Sequence, residues 1–184
     1  MVSLQVAVTP TYVFAYSEKT THPALTQEII RFYNLNFQNQ KLSDGEMRLV
    51  MQGSVDEDNG TRWLQHFYDP VKNRGLVLGD NELFREREVA AIIGGTRSEW
   101  MSSKDWAKAT RSQAGPGSIL AGITSAFFSG KDDYSWDRAV YEYAWGDKNR
   151  GLMALGHVLH LLEDAAVPDH TRNDPHPPIL DMGS

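Results

Sequence analysis

The stretch that most restricts how this chain can fold is residues 151–170, GLMALGHVLHLLEDAAVPDH. Its apolar residues Leu152, Met153, Leu155, Val158, Leu159, Leu161 and Leu162 fit a buried helix. His160 and Asp164 are four apart in that segment. Side chains at i and i+4 share a helix face, so an imidazole and a carboxylate point together into the interior. Pro168 is expected to stop the helix, because it lacks an N–H and clashes with the preceding turn. His170 follows the stop, where the turning chain can swing it back beside the first two. Nitrogen and oxygen donors of this kind suit zinc.

Composition narrows the field. At 184 residues the chain can bury one sizeable core. Its 24 acidic and 18 basic residues leave a net charge of −6, which disfavours electrostatic docking to nucleic acid or to an anionic membrane. Metal ions can still supply positive charge locally to a phosphate ester. The absence of cysteine excludes disulfides and thiolate metal sites and leaves the redox compartment open. No apolar run approaches the roughly 20 residues that span a bilayer. Residues 1–15, MVSLQVAVTPTYVFA, end in a small-x-small pattern at Val13-Phe14-Ala15, lack a basic start and contain Pro10. They read as a signal-peptide remnant or as an N-terminal arm, with residues 16–184 forming the domain proper.

Along that domain the spacing predicts helices and no strands. Thr20-Thr21-His22-Pro23 opens the first, which carries Leu25, Ile29, Ile30 and Phe32 to about Asn34. Ser43 and Glu46 form a capping box for a second helix, expected to end at Gly53. Residues 53–81 read as a long loop, a length usually functional or disordered. Helical pattern returns over Asn81–Ala91, breaks at Gly94-Gly95 and resumes over Trp100–Ala109. Gly115-Pro116-Gly117 is a breaker, and Ile119–Phe128 is apolar and ambiguous. Ser135 caps a helix with Trp136, Ala139, Val140, Tyr143 and Ala144 on one face, closed by Gly146. The fold class expected is all-α, a multi-helix bundle with long loops.

Each candidate ligand also has a plain structural role open to it. A histidine on an apolar helix face is usually a hydrogen-bonded core residue, and His160 with Asp164 can be a metal-free pair. Asp56-Glu57-Asp58 can be an exposed acidic turn. His66 can pack among Trp63, Phe67 and Tyr68, which are themselves candidates for a substrate cleft or for core. His176 sits among prolines, as a solvated loop residue would.

Taken in order, His22, the Gly53–Asp58 segment, His66-Phe67-Tyr68-Asp69-Pro70, and His160-x3-Asp164 followed by Pro168-x-His170 resemble the zinc-dependent phospholipase C family, whose fold is shared with fungal single-strand nucleases. The resemblance implies a helical bundle holding up to three zinc ions in a cleft. It assigns Asp58, five residues after Gly53, as carboxylate ligand of one zinc with His66 and His160. Asp164 becomes the bridge to a second zinc that takes His22, and His170 the first ligand of a third. Family members start their mature chain with Trp, whose amino group and carbonyl bind zinc. Here cleavage after Ala15 would expose Tyr16 for that role. The third zinc also wants His-x3-Glu or His-x3-Asp. His176 is the remaining histidine, but Leu180 stands four after it and Asp181 one too late, so the domain reads as incomplete at its C-terminus.

The resemblance implies a phosphodiester hydrolase using a metal-activated water, with Asp58 as general base. Glu163 and His157 are candidates for orienting the ligand imidazoles. The expected substrate is a phospholipid or other phosphodiester, met in transient contact with a membrane surface, and the expected location secreted or periplasmic. A single-strand nuclease activity, or a non-catalytic helical domain with structural or no metal, are the alternatives.

Overall fold

A computed structural model of the chain describes residues 20–77, 99–109, 113 and 133–173. The expectations for Asn81–Ala91, Gly94-Gly95, Gly115-Pro116-Gly117, Ile119–Phe128, Tyr16 and His176 lie outside them. The described residues are mostly helical, and pairing between extended segments is confined to the isolated bridges Asp69–Arg74 and Val77–Glu99. The α-helices are α1 (Thr21–Asn36), α2 (Asp44–Asp56), α3 (Ser103–Trp106), α4 (Trp136–Trp145), α5 (Lys148–Asp164) and α6 (Pro168–Arg172). None is long and apolar enough to cross a membrane.

Helix α5 is central, with α1, α2 and α4 packed against it. Its contact with α2 is made by glycine. A Cβ on Gly53 would lie 2.0 Å from the Met153 carbonyl oxygen, and one on Gly156 would lie 2.0 Å from that of Val50. Without side chains at these points the two backbones touch, which no other residue permits. Gly53 therefore does not end α2, as its sequence position implied. It lets the helix run on to Asp56 against α5. The start of α2 is as expected: Ser43 Oγ accepts from Glu46 N–H, and Glu46 accepts from Ser43 N–H at 2.8 Å. Ile30, Val50 and Leu152 close the junction of α1, α2 and α5. Burying each such side chain is worth about 1.5–3 kcal/mol.

Periodicity located α1, but of its apolar residues Leu25, Ile29, Ile30 and Phe32 it is Ile30 that turns inward. The helix buries His22, Thr26 and Ile30, while Leu25, Ile29 and Phe32 are exposed. Helix α4 likewise buries Ala139 and Glu142 and exposes Trp136, Val140 and Tyr143. On α5, Leu162 faces outward. Apolar spacing marks a helix, but which stripe faces inward depends on partners far away in the chain.

After α2 the chain runs to residue 77 through a turn of 3₁₀ helix at Arg62–Gln65. Trp63, Leu64, Phe67, Leu76 and Trp100 form a second core beneath it, so Trp63 and Phe67 are core residues. The Trp100–Ala109 helix shortens to α3, capped by Ser102. Pro168 separates α5 from α6 by starting α6, where its missing N–H is no loss. Tyr68 N–H donates to the His170 carbonyl at 3.0 Å, which ties the loop to α6. Asn173, in the left-handed conformation with φ 61°, accepts from Val77 N–H at 2.8 Å and donates to its carbonyl at 2.7 Å.

Candidate metal centre

Six of the eight expected ligand residues lie within the described residues, and all six converge. Three overlapping sets have ligand atoms within 4.8 Å of one another: His22, His160 and Asp164; Asp58, His66 and His160; His66, Asp164 and His170. They come from α1, the turn after α2, the following loop, α5 and α6, and the outermost two, His22 and His170, are 148 residues apart in sequence. The glycine contact between α2 and α5 sets Asp58 over His160, and the tie from Tyr68 to His170 brings His66 to Asp164.

Asp164 is the hub and is fully buried. Its Oδ1 lies 3.3 Å from His22 Nε2 and 3.1 Å from His170 Nδ1. Its Oδ2 lies 3.0 Å from His66 Nδ1 and 3.2 Å from His160 Nε2. Asp58 Oδ1 lies 3.4 Å from His160 Nε2 and 3.6 Å from His66 Nδ1. Despite this crowding, no aligned hydrogen bond among the described residues reaches either Asp164 oxygen, Asp58 Oδ2 or His160 Nε2. Buried polar atoms are normally hydrogen-bonded, and leaving one unmade costs about 1–3 kcal/mol. Lone pairs that converge without pairing are suited to a shared cation. The all-nitrogen-and-oxygen donor set fits zinc, which takes neutral imidazole and carboxylate.

The rear nitrogens are held. His22 Nδ1 donates to Glu163 Oε2 at 2.8 Å, and His160 Nδ1 donates to the Ser54 carbonyl at 2.7 Å. Each bond fixes a tautomer and presents Nε2 to Asp164. Thr26 Oγ1 donates to Glu163 Oε1 at 2.8 Å, anchoring that carboxylate in turn. His170 is placed by Phe67, whose ring meets it edge-on at 5.0 Å.

The electrostatics fit a cation as well. Burial opposes charge on His22, yet the carboxylates of Asp164 and Glu163 outweigh it and push the imidazole up to about 9. Burial is likewise overcome at His66, which the Asp164 charge pushes up to about 10. Asp164 itself is held well below the usual carboxylate range against its own burial, by His66 and the other imidazoles around it. A cluster that favours positive charge in this way would also favour a bound cation, which would displace imidazole protons.

One acidic residue escaped the sequence reading. Glu57, the middle of the acidic triplet, is fully buried instead of lying in an exposed turn. It accepts from Arg62 Nε at 2.9 Å, Trp106 Nε1 at 2.8 Å and His157 Nδ1 at 2.5 Å. Burial alone would raise its pKa, but His157, His66 and Arg62 hold it well below the carboxylate range. His157 therefore orients no ligand imidazole of this centre directly, whereas Glu163 does. The one available signal for Glu57 was Arg62 five residues on, too common a spacing to single it out.

Comparison with protein-family models, with curated proteins and with solved structures returns no match to this chain.

Proposed function

We propose that this chain is a zinc-dependent phosphodiester hydrolase of phospholipase C type, with a phospholipid headgroup ester as its substrate class. The observation that carries this reading is the convergence of His22, Asp58, His66, His160, Asp164 and His170 on one buried cluster whose hub, Asp164, has no aligned hydrogen bond to either oxygen among the described residues. The order of these residues in the sequence supports the same family, and the helical character of the described residues agrees with its bundle.

Asp58, His66 and His160 would hold one ion, His22 and Asp164 a second, and His170 would contribute to a third. The chemistry such ions would supply when bound is polarisation of a phosphoryl oxygen, lowering of a bound water's pKa toward about 7 and neutralisation of the leaving oxygen. Glu163 and the Ser54 carbonyl keep His22 and His160 in the orientation that offers Nε2 inward. The Asp58 and His170 side chains are 14 % and 10 % exposed, while those of His160 and Asp164 are fully buried. Asp58, whose buried Oδ2 has no aligned hydrogen bond among the described residues, would serve as general base toward a water held in the cluster.

The test is hydrolysis of phosphatidylcholine vesicles and of single-stranded DNA by zinc-supplemented protein and its Asp164→Asn variant. The lipid is expected to be cleaved and the DNA not. Mutating an outer partner of a metal ligand costs roughly 10–100-fold, so the loss in Asp164→Asn should be roughly a hundredfold or more. Inactivity of the wild type on both substrates, or an active variant, would contradict the proposal.

A further inference from the structure

His66 differs from His22 and His160, which face Asp164 with Nε2. It faces Asp164 and Asp58 with Nδ1, while its Nε2 is buried and has no aligned hydrogen bond among the described residues. The acceptor beside that Nε2 is Glu57 Oε1 at 3.7 Å, within ion-pair range but beyond a hydrogen bond. Glu57 is itself immobilised on three sides. Trp106 Nε1 holds Oε1, while Arg62 and His157 hold Oε2. Arg62 is braced in turn over the rings of Trp106 and Tyr134, at 5.1 and 5.4 Å. Tyr134 stacks on His157 at 3.9 Å. A buried carboxylate fixed so firmly, with one edge turned to the rear of a ligand imidazole, is what a carboxylate–histidine–metal arrangement requires.

We propose that Glu57 is the positioning residue for His66: it accepts from His66 Nε2–H and so keeps Nδ1 as the nitrogen offered to the metal. This rests on the reading of His66 as a metal ligand. Glu57 then does for His66 what Glu163 does for His22 and the Ser54 carbonyl for His160, with one difference. Glu163 and Ser54 lie on helices that the ligands themselves share or touch, whereas Glu57 ties His66 to α3 and α5 through Trp106 and His157.

The direct test needs no substitution. Nitrogen-15 spectra of the histidine rings are recorded on the full chain without metal and with added zinc. The expected result is a large shift at His66 Nδ1 on zinc addition, with Nε2 protonated and its proton shifted downfield by a strong acceptor. Zinc affinity is then measured by competition with a chromophoric chelator. Glu57→Gln, which keeps the shape and removes the charge, should weaken binding roughly 10-fold or more. His157→Gln, which leaves the Glu57 edge facing His66 in place, should stay within about threefold, well short of that range. Zinc bound through Nε2 of His66, or equal weakening by the two variants, would overturn the positioning role while leaving the hydrolase reading intact. If His66 does not respond to zinc at all, both fall together. Should Glu57→Gln fail to fold, the wild-type ring spectra still decide.

Discussion

Two buried polar clusters lie side by side along α5, and they are built on opposite terms. Around Glu57 the donors and acceptors are matched: an arginine, an indole N–H and an imidazole meet one carboxylate at 2.5–2.9 Å. Around Asp164 four imidazoles crowd one carboxylate at 3.0–3.3 Å, and neither of its oxygens accepts an aligned hydrogen bond among the described residues. The first arrangement is complete as it stands and holds α2, α3 and α5 in register. The second is the one proposed to take a cation between its carboxylate and its imidazoles.

The contrast is sharpest in the response to zinc. Metal present at a thousandfold excess over its dissociation constant should stabilise the folded chain by about 4 kcal/mol, read as a rise in the denaturation midpoint that a chelator reverses. An unchanged midpoint would place both clusters in the structural class. A somewhat smaller effect is expected on the other side. Arg62→Met leaves the Glu57 carboxylate buried without its cation. Breaking such a pair should cost about 3 kcal/mol whether or not zinc is present. A variant as stable as the wild type without zinc would mean that the pair adds nothing to the fold.

The smallest effect belongs to the surface, far from either cluster. Lys148, Ser43 and the backbone at Ser43 hold Glu46 down to about 2 from its usual 4.5. A carboxylate whose folded pKa is depressed adds stability above its unfolded value and loses it as pH falls toward the folded one. The Glu46 contribution should therefore be whole above about pH 4.5, fade between 4.5 and 2, and vanish in Glu46→Gln. The pair is exposed, so solvent screening keeps the amplitude small. Acid denaturation curves of the two proteins that superimpose across that window would remove it.

How much of this was legible in the sequence follows from range. His160 and Asp164 share a face of one helix, so four residues of spacing sufficed to pair them. The Ser43–Glu46 capping box was equally local. His170 was within reach because a proline marked the turn before it. His22, Asp58 and His66 were identified only through a resemblance in order and spacing, since nothing local says that α1 and the loop return to α5. Gly53 reads as a terminator because a glycine in a close helix crossing and a glycine after a helix look alike in one dimension. Glu57 went unseen for a related reason. Its partners His157 and Trp106 lie 100 and 49 residues away, and an acidic triplet gives no sign of which carboxylate turns inward.

The most direct test of the central claim is to count zinc. Purified protein, loaded and then freed of loose metal by gel filtration, should carry more than one zinc ion per chain by elemental analysis. Asp164→Asn, which alters the carboxylate common to the His22 and His170 sets, should carry at least one fewer. Equal zinc content in the two proteins, or none in either, would contradict the account.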